Sequence, residues 1–192
     1  MTLHLLRHGV AAGVDGRCVG RTDVPLAPGA AEAFARVAAA WPHGRPARLT
    51  ASPLGRARDS AAPLADAWGL PVETDDRLAE LDFGAWDGRT WANIEETDGA
   101  ALGAWMANWE VVAPPGGESF AGLRARADDW LASLAGVSGD VVAVAHAGFV
   151  RAVVVRVLGL DPRHAFRIDV VHAAVTTVRL APPALVSLNC LR

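Results

Sequence analysis

The sequence predicts an α/β fold, a three-layer α/β/α sandwich around a mixed sheet that is mostly parallel. Short apolar segments alternate with longer segments of helical periodicity, as in parallel strands joined by helical crossovers. Residues 141–145 are apolar at every position, which is typical of a strand covered on both faces. A chain of 192 residues is long enough to bury one well-filled core. We therefore expect a single domain over residues 1–192.

Composition excludes several classes of protein. The chain is 52% apolar and 20% charged, and it has no uninterrupted apolar run near the roughly 20 residues of a membrane span. A net charge of −3 does not favour nucleic-acid binding. The first residues lack the basic segment and apolar stretch of a signal peptide, so we expect a cytoplasmic protein. Cys18 and Cys190 fit no metal-binding spacing, and we expect two free thiols.

The first third of the chain predicts two strands, each followed by a helix. Residues 3–6 form a short apolar strand, and residues 10–27 are a glycine-dotted loop whose length favours a functional role. Pro28 and Gly29 begin an alanine-rich helix that ends near Trp41. Residues 48–51 form the next strand. Ser52 is then expected to cap a helix that ends near Trp68.

The remaining two thirds continue the alternation. Apolar residues recur at a 3.6-residue period between Glu118 and Gly136, which predicts a helix packed on the sheet. Further helices are predicted around residue 91, over 101–109 and over 149–158, and further strands over 71–74, 141–145, 173–180 and 185–191.

Basic and imidazole side chains follow three of the predicted strands. Arg7 and His8 come directly after the first strand, His146 follows the apolar run 141–145, and Arg56 lies in the first turns of the helix after residues 48–51. The carboxyl ends of parallel strands meet at one edge of a sheet, where ligands bind near helix N-termini. Guanidinium groups match phosphate geometry, and imidazole serves as a nucleophile or a cation. The placement therefore predicts a pocket for a phosphate group.

Five segments, in this order along nearly the whole chain, resemble the histidine phosphatase superfamily, the phosphoglycerate-mutase-like proteins. They are residues 6–9 (Leu-Arg-His-Gly), 52–57 (Ser-Pro-Leu-Gly-Arg-Ala), 80–88 (Glu-Leu-Asp-Phe-Gly-Ala-Trp-Asp-Gly), 117–119 (Gly-Glu-Ser) and 146–148 (His-Ala-Gly). An isolated Arg-His-Gly would be weak evidence, whereas this ordered set is specific. The resemblance implies the phosphoglycerate-mutase-like version of the predicted sandwich.

The resemblance also implies a set of roles. His8 attacks phosphorus and becomes a phosphohistidine, while Arg7, Arg56 and His146 hold the phosphoryl oxygens and Glu80 donates the proton. Fixed guanidinium groups compensate the charge on a transferring phosphoryl group at little reorganisation cost, so the chemistry of these residue types agrees. Catalysis through a protein nucleophile needs neither a metal nor another cofactor, and we expect none.

The loop after His8 bears on the substrate. Many family members have polar residues at the positions held here by Val10, Ala11 and Ala12, so one or two polar phosphate contacts are missing. Residues 16–26, 81–86 and 146–151 are similar to the α-ribazole phosphatases of cobalamin biosynthesis, and, with small changes, to broad-specificity phosphatases. Arg21, Thr22 and Ala147 are the further candidate substrate contacts.

The sequence therefore predicts a phosphomonoesterase acting on a small phosphorylated metabolite, with α-ribazole 5′-phosphate as the specific candidate. Two alternatives remain open: a phosphoglycerate-mutase-type phosphoryl transfer and a non-catalytic protein that binds a phosphorylated ligand. The mutases of the family carry longer insertions, and the complete set of site residues argues against a binding protein. Neither nucleic acid nor a membrane is an expected partner, and a dimer is one open possibility for the oligomeric state.

Overall fold

A mixed sheet forms the middle layer of the fold. The computed structural model describes residues 1–190, and within them six strands belong to this sheet. The strands are β1 (Thr2–Arg7), β2 (Arg48–Ala51), β3 (Val72–Thr74), β4 (Val141–Ala145), β5 (Val175–Leu180) and β6 (Pro183–Cys190).

The order of the strands brings the predicted site residues to one edge. In space the order is β3-β2-β4-β1-β5-β6, with β3, β2, β4 and β1 parallel and with β5 and β6 added antiparallel. The register pairs Arg7 with Ala145, so β1 and β4 end side by side. This confirms the predicted mixed, mostly parallel sheet, and it places His8 next to His146.

Helices cover both faces of the sheet. The α-helices of the described residues are α1 (Ala30–Ala39), α2 (Gly55–Trp68), α3 (Trp91–Asn108), α4 (Phe120–Ser133) and α5 (Ala147–Leu158), of which α3 packs away from the sheet, against Cys18 and Trp86. Helices α1 and α2 pack on one face, whereas α4 and α5 pack on the other. The three-layer sandwich is thus confirmed.

Alternation along the strands explains the two apolar layers. Leu3 and Leu5 of β1 point into the layer formed with α4 and α5, and Leu6 points into the layer formed with α1 and α2. Strand β4 is buried at every position, as its uniformly apolar sequence predicts. Each fully buried Val, Leu or Phe stabilises the fold by roughly 1.5–3 kcal/mol.

Several boundaries differ from those predicted. Helix α2 begins at Gly55 with Leu54 as its N-cap residue, and Ser52 is not the predicted cap, because the Ser52 N–H continues the sheet and donates to the Val144 carbonyl at 2.9 Å. The two helical segments predicted after residue 91 are one helix, α3, with non-helical dihedral angles at Asp98. Helix α1 ends at Ala39, two residues before Trp41. The last predicted strand extended to Leu191, which lies outside the described residues.

Among residues 1–190, no helix combines the length and the apolar character that crossing a membrane would require.

Candidate active site

The two histidines predicted for the site lie at the ends of neighbouring strands. His8 directly follows β1, and its N–H donates to the Ala145 carbonyl at 2.9 Å. His146 follows β4 and precedes the first residue of α5. The centroids of the two imidazole rings are 4.9 Å apart. The sheet register therefore places both rings in one site.

Hydrogen bonds fix the tautomer of His8. Its Nδ1–H donates to the Gly9 carbonyl at 2.7 Å, which leaves the lone pair on Nε2. The Gly9 N–H in turn donates to the Ser60 hydroxyl of α2 at 2.9 Å. Burial, reinforced by the Arg56 guanidinium, lowers the pKa of His8 to about 3. A neutral imidazole with its lone pair on Nε2 is the nucleophilic form.

Arg56 is the second residue of α2 and is almost fully buried. Its Nε–H donates to His8 Nε2 at 3.2 Å, while Nη1 donates to the Thr22 carbonyl at 2.9 Å and Nη2 to the Gly20 carbonyl at 2.5 Å. Three donors of one guanidinium thus connect the loop over residues 10–27 to the His8 ring. Its other two N–H donors form no hydrogen bond within residues 1–190.

Arg7 and His146 are the remaining basic side chains of the site. Arg7 Nη1 donates to the Val170 carbonyl at 2.7 Å, and its buried Nε has no hydrogen-bond partner among residues 1–190. His146 is fully buried, with Nε2 2.8 Å from the Ser52 hydroxyl oxygen and with Nδ1 unpartnered within the same residues. Burial, together with the neighbouring His8, Arg56 and Arg7, holds the pKa of His146 well below its ordinary value. Both side chains retain a buried nitrogen that can bind an added ligand.

Glu80 contributes the acid group of the site. One carboxylate oxygen accepts the Leu81 N–H at 2.9 Å and the other accepts the Gly148 N–H at 3.2 Å, at the first turn of α5. A Cβ atom at position 148 would collide with the carboxylate, so a larger residue there would displace the Glu80 side chain. Glu80 and three predicted partners, Arg7, His8 and Arg56, line one cavity of about 100 Å³.

The loop over residues 10–27 closes this cavity with apolar side chains. Ala11, Val14, Val19 and Val24 line it together with the polar groups. The loop folds back on itself, since the Ala12 N–H donates to the Pro25 carbonyl and the Ala27 N–H donates to the Val10 carbonyl. These apolar side chains partly exclude water from the side of the cavity that this loop forms. The same loop contains Val10, Ala11 and Ala12, where the sequence predicted that polar contacts are missing.

Three further candidates occupy different positions. Thr22 donates its hydroxyl to Asp87 at 2.6 Å, and the half-exposed Arg21 lies 3.3 Å from an Asp82 oxygen. The structure does not bring these two side chains into the cavity, because each is already paired with a carboxylate outside it. Ala147, the first residue of α5, is buried beside His146.

His172 is a residue of this site that its position in the sequence did not suggest. Its Nδ1–H donates to the His8 carbonyl at 2.9 Å, its ring centroid is 5.2 Å from that of His8, and it lines the same cavity. Burial, with Arg7 close by, lowers its pKa. His172 reaches the site because the segment before β5 pairs with the end of β1, as the bridge between Arg7 and His172 shows. This pairing joins distant parts of the chain, so no local sequence pattern predicts it.

Comparison with known proteins assigns the chain to a family. The family model of the histidine phosphatase superfamily (branch 1) matches residues 3–189. The chain therefore belongs to this superfamily, which confirms the resemblance seen in the sequence.

Individual relatives carry phosphatase names. The chain is 34% identical over 172 residues to a glucosyl-3-phosphoglycerate phosphatase of Mycolicibacterium vanbaalenii, covering 82% of this chain and 74% of that protein. It is 30% identical over 176 residues to the adenosylcobalamin/α-ribazole phosphatase of Escherichia coli, and the match covers 88% of this chain and 86% of that protein. A bifunctional protein of Mycobacterium tuberculosis is 46% identical over 74 residues, which span 38% of this chain and only 20% of that protein's length.

Solved structures agree on the fold. The α-ribazole phosphatase of Shigella flexneri superposes with a TM-score of 0.91 at 24% sequence identity, covering 98% of this chain and 96% of that one. At this identity the likeness supports the fold alone.

Proposed function

We propose that this chain hydrolyses small phosphate monoesters through a phosphohistidine formed on His8. The observation that supports this most directly is the neutral His8 ring, whose Nε2 lone pair faces the Arg56 guanidinium at 3.2 Å inside a cavity lined by Arg7 and Glu80. A nucleophile, two fixed cations and one carboxylic acid are the groups that phosphoryl transfer requires.

In the first step, His8 Nε2 attacks phosphorus and the bond from phosphorus to the ester oxygen breaks. Arg56 turns its Nε–H from His8 to a phosphoryl oxygen, and Arg7 Nε and His146 Nδ1 supply the buried nitrogens that contact the other oxygens. Protonated Glu80 gives its proton to the departing alkoxide. The products are the free alcohol and His8 with phosphorus bonded to Nε2.

In the second step, the Glu80 carboxylate accepts a proton from a water molecule whose oxygen attacks phosphorus. The bond between phosphorus and Nε2 breaks, and inorganic phosphate leaves with the enzyme in its starting state. The Nδ1–H to Gly9 carbonyl bond holds the ring in one tautomer through both steps.

Rapid quenching with a ³²P-labelled ester tests the proposal. We expect an acid-labile, base-stable phosphoenzyme in the unsubstituted protein and none in His8→Ala, with turnover reduced by at least a thousandfold. His164→Ala, which removes an exposed imidazole, is the matched control and should label normally. Turnover that survives in His8→Ala without an adduct would refute the mechanism.

α-Ribazole 5′-phosphate is the substrate we propose first, because the Escherichia coli relative that covers most of this chain is named for it. The mycobacterial relatives favour a second candidate, glucosyl-3-phosphoglycerate. The ratio of kcat/KM for the two esters, measured side by side, decides between them. Bisphosphate-primed isomerisation of 3-phosphoglycerate would instead support the mutase alternative, and binding of esters without turnover would support a binding protein.

A further inference from the structure

We propose that a small apolar cavity behind Glu80 is a subsite for one group of the alcohol part of the ester, and that it favours esters whose alcohol carries a flat apolar group. The cavity has a volume of about 90 Å³ and is lined by Glu80, Phe83, Phe120, Leu123, Arg151 and Phe166, among others. This subsite rests on the proposed function, because its occupant is the leaving group of that reaction.

The position of Glu80 indicates what occupies the cavity. Glu80 lines both this cavity and the cavity that contains His8, Arg7 and Arg56. A general acid must lie within hydrogen-bond distance of the oxygen that it protonates. With the phosphoryl group held by the cations on one side, the ester oxygen lies at the Glu80 carboxylate. The carbon chain of the alcohol then continues to the other side, into the apolar cavity.

The walls of the cavity define the chemistry of its ligand. Three aromatic rings and two leucines leave few polar groups that could replace the water around a hydroxyl-rich group, and such desolvation is unfavourable. Arg151 adds a flat cationic surface: its Cζ lies 5.4 Å from the centroid of the Phe166 ring, and its Nε–H donates to the Ile168 carbonyl at 2.9 Å. An aromatic or flat aliphatic group matches these surfaces.

The cavity is large enough for only part of the substrate. Sites for whole drug-sized ligands have volumes of about 300–1,000 Å³. A cavity of about 90 Å³ therefore holds one small group of the alcohol, with any remainder outside. Phe166 is 54% exposed, so it forms the wall next to solvent through which a larger alcohol would extend.

The test compares 2-phenylethyl phosphate with glycerol 3-phosphate, two primary alkyl esters that differ in the polarity of the alcohol. We expect kcat/KM in the unsubstituted protein to be higher for 2-phenylethyl phosphate by roughly tenfold or more. Phe166→Ala should reduce this preference by roughly tenfold, mainly through KM, and Phe166→Leu should restore most of it. Val186→Ala, a truncation at an exposed apolar position on β6, should leave the preference unchanged.

The outcomes separate the two proposals. If the unsubstituted protein hydrolyses neither ester nor any other phosphomonoester, the proposed function is wrong and the subsite is refuted with it. If it hydrolyses both esters with equal kcat/KM, or if Phe166→Ala leaves the preference intact, the function stands and the subsite alone is refuted.

A second inference follows independently from Asp87, which lies outside the cavity. We infer that Asp87 is a positioning residue that acts through Arg56. One of its carboxylate oxygens accepts the Gly20 and Thr22 N–H groups and the Thr22 hydroxyl, and the other accepts the Arg21 N–H. The carbonyls of Gly20 and Thr22 are the same groups that hold the Arg56 guanidinium. The Asp87 carboxylate thus fixes the turn over residues 20–22, and this turn orients Arg56.

A double-mutant cycle tests the coupling of Asp87 to Arg56. Asp87→Asn replaces one acceptor oxygen with a donor that would face N–H groups, so we expect kcat/KM to fall roughly ten- to a hundredfold. In an Arg56→Ala background the same substitution should have an effect of less than threefold. Asp98→Asn, which removes a carboxylate paired with Arg89 at 2.7 Å, is the matched control. Equal losses in both backgrounds would show a purely structural role and overturn the inference.

Discussion

At the scale of single residues, the site works because burial keeps its histidines neutral while its arginines stay charged. The pKa of His8 falls to about 3 because the ring is buried beside Arg56. Burial also lowers the pKa values of Arg7 and Arg56, but a guanidinium is so strongly basic that both stay charged at neutral pH. A neutral nucleophile therefore lies beside fixed positive charge, which attracts a phosphate dianion without protonating the attacking nitrogen.

Glu80 permits a sharp test at this scale, since the need for its proton depends on the leaving group. Glu80→Gln should reduce kcat for an alkyl phosphate by roughly 10²–10⁴-fold, because an alkoxide leaves poorly without a proton. The loss for p-nitrophenyl phosphate should be much smaller in the first step, because nitrophenolate leaves unprotonated. Burst kinetics with the two esters would measure this difference.

A surface carboxylate provides the comparison. Glu95 lies exposed on α3, and Glu95→Gln should change neither rate. Equal losses for alkyl and nitrophenyl esters in the first step of Glu80→Gln would mean that another group carries the proton.

At the scale of elements, the loop over residues 10–27 is both a wall of the cavity and a support for Arg56. Gly20 is the residue of this loop that lies closest to the segment 81–83. A Cβ atom at position 20 would collide with the Leu81 carbonyl and lie 2.7 Å from the Phe83 ring. Neither the Leu81 backbone nor the packed Phe83 ring can move away easily. The Gly20 carbonyl would shift instead and release Arg56 Nη2.

Gly20→Ala should therefore lower kcat/KM by at least tenfold while the protein remains folded, as measured by steady-state kinetics and circular dichroism. Gly99→Ala, at a helical position of α3 with open space around it, should retain activity. Full activity in Gly20→Ala would show that the loop does not position the guanidinium.

The elements also show what local sequence could and could not predict. Strand β4 and the placement of His8 and His146 after strands were predictable, because apolar runs and chain order carry that information. The start of α2 was misplaced because Ser52 is used by the sheet and not by the helix. The partners of Thr22 and the presence of His172 depend on contacts 65 and 164 residues apart, which no local pattern encodes.

At the scale of the whole molecule, the two apolar layers share one sheet. Leu5 contributes to one layer and Leu6 to the other, so β1 cannot leave one face without exposing the second. We propose that the chain is a single domain for this reason.

Equilibrium unfolding in urea tests this. Tryptophan fluorescence and far-ultraviolet circular dichroism should follow one coincident transition, because tryptophans lie in different layers: Trp130 in the α4 and α5 layer, and Trp41 and Trp68 against the α1 and α2 layer. Two separated transitions would divide the chain into independent units.

Buried imidazoles also make the stability of the molecule depend on pH. His4, His8, His146 and His172 all have pKa values below the ordinary 6.5, in each case chiefly through burial. Below pH 6.5 the unfolded chain binds more protons at these sites than the folded chain does. Stability is therefore at its full value above that pH and is lost as pH falls, down to about 3 for His8.

Urea unfolding at pH 7.5 and at pH 5.5 measures how the free energy of unfolding depends on these histidines. Both pH values lie above the ordinary pKa values of Asp and Glu, so most carboxylates stay ionised. Each histidine that stays neutral at pH 5.5 lowers the free energy of unfolding by up to about 1.4 kcal/mol per pH unit below 6.5, so His8 and His146, whose pKa values lie furthest below 6.5, should together lower it by roughly 2–3 kcal/mol. His172→Asn removes a further imidazole with a lowered pKa and should reduce the pH dependence. A free energy of unfolding that is equal at the two pH values would show that folding does not lower the pKa values of these rings, and it would contradict the effect of burial on His8.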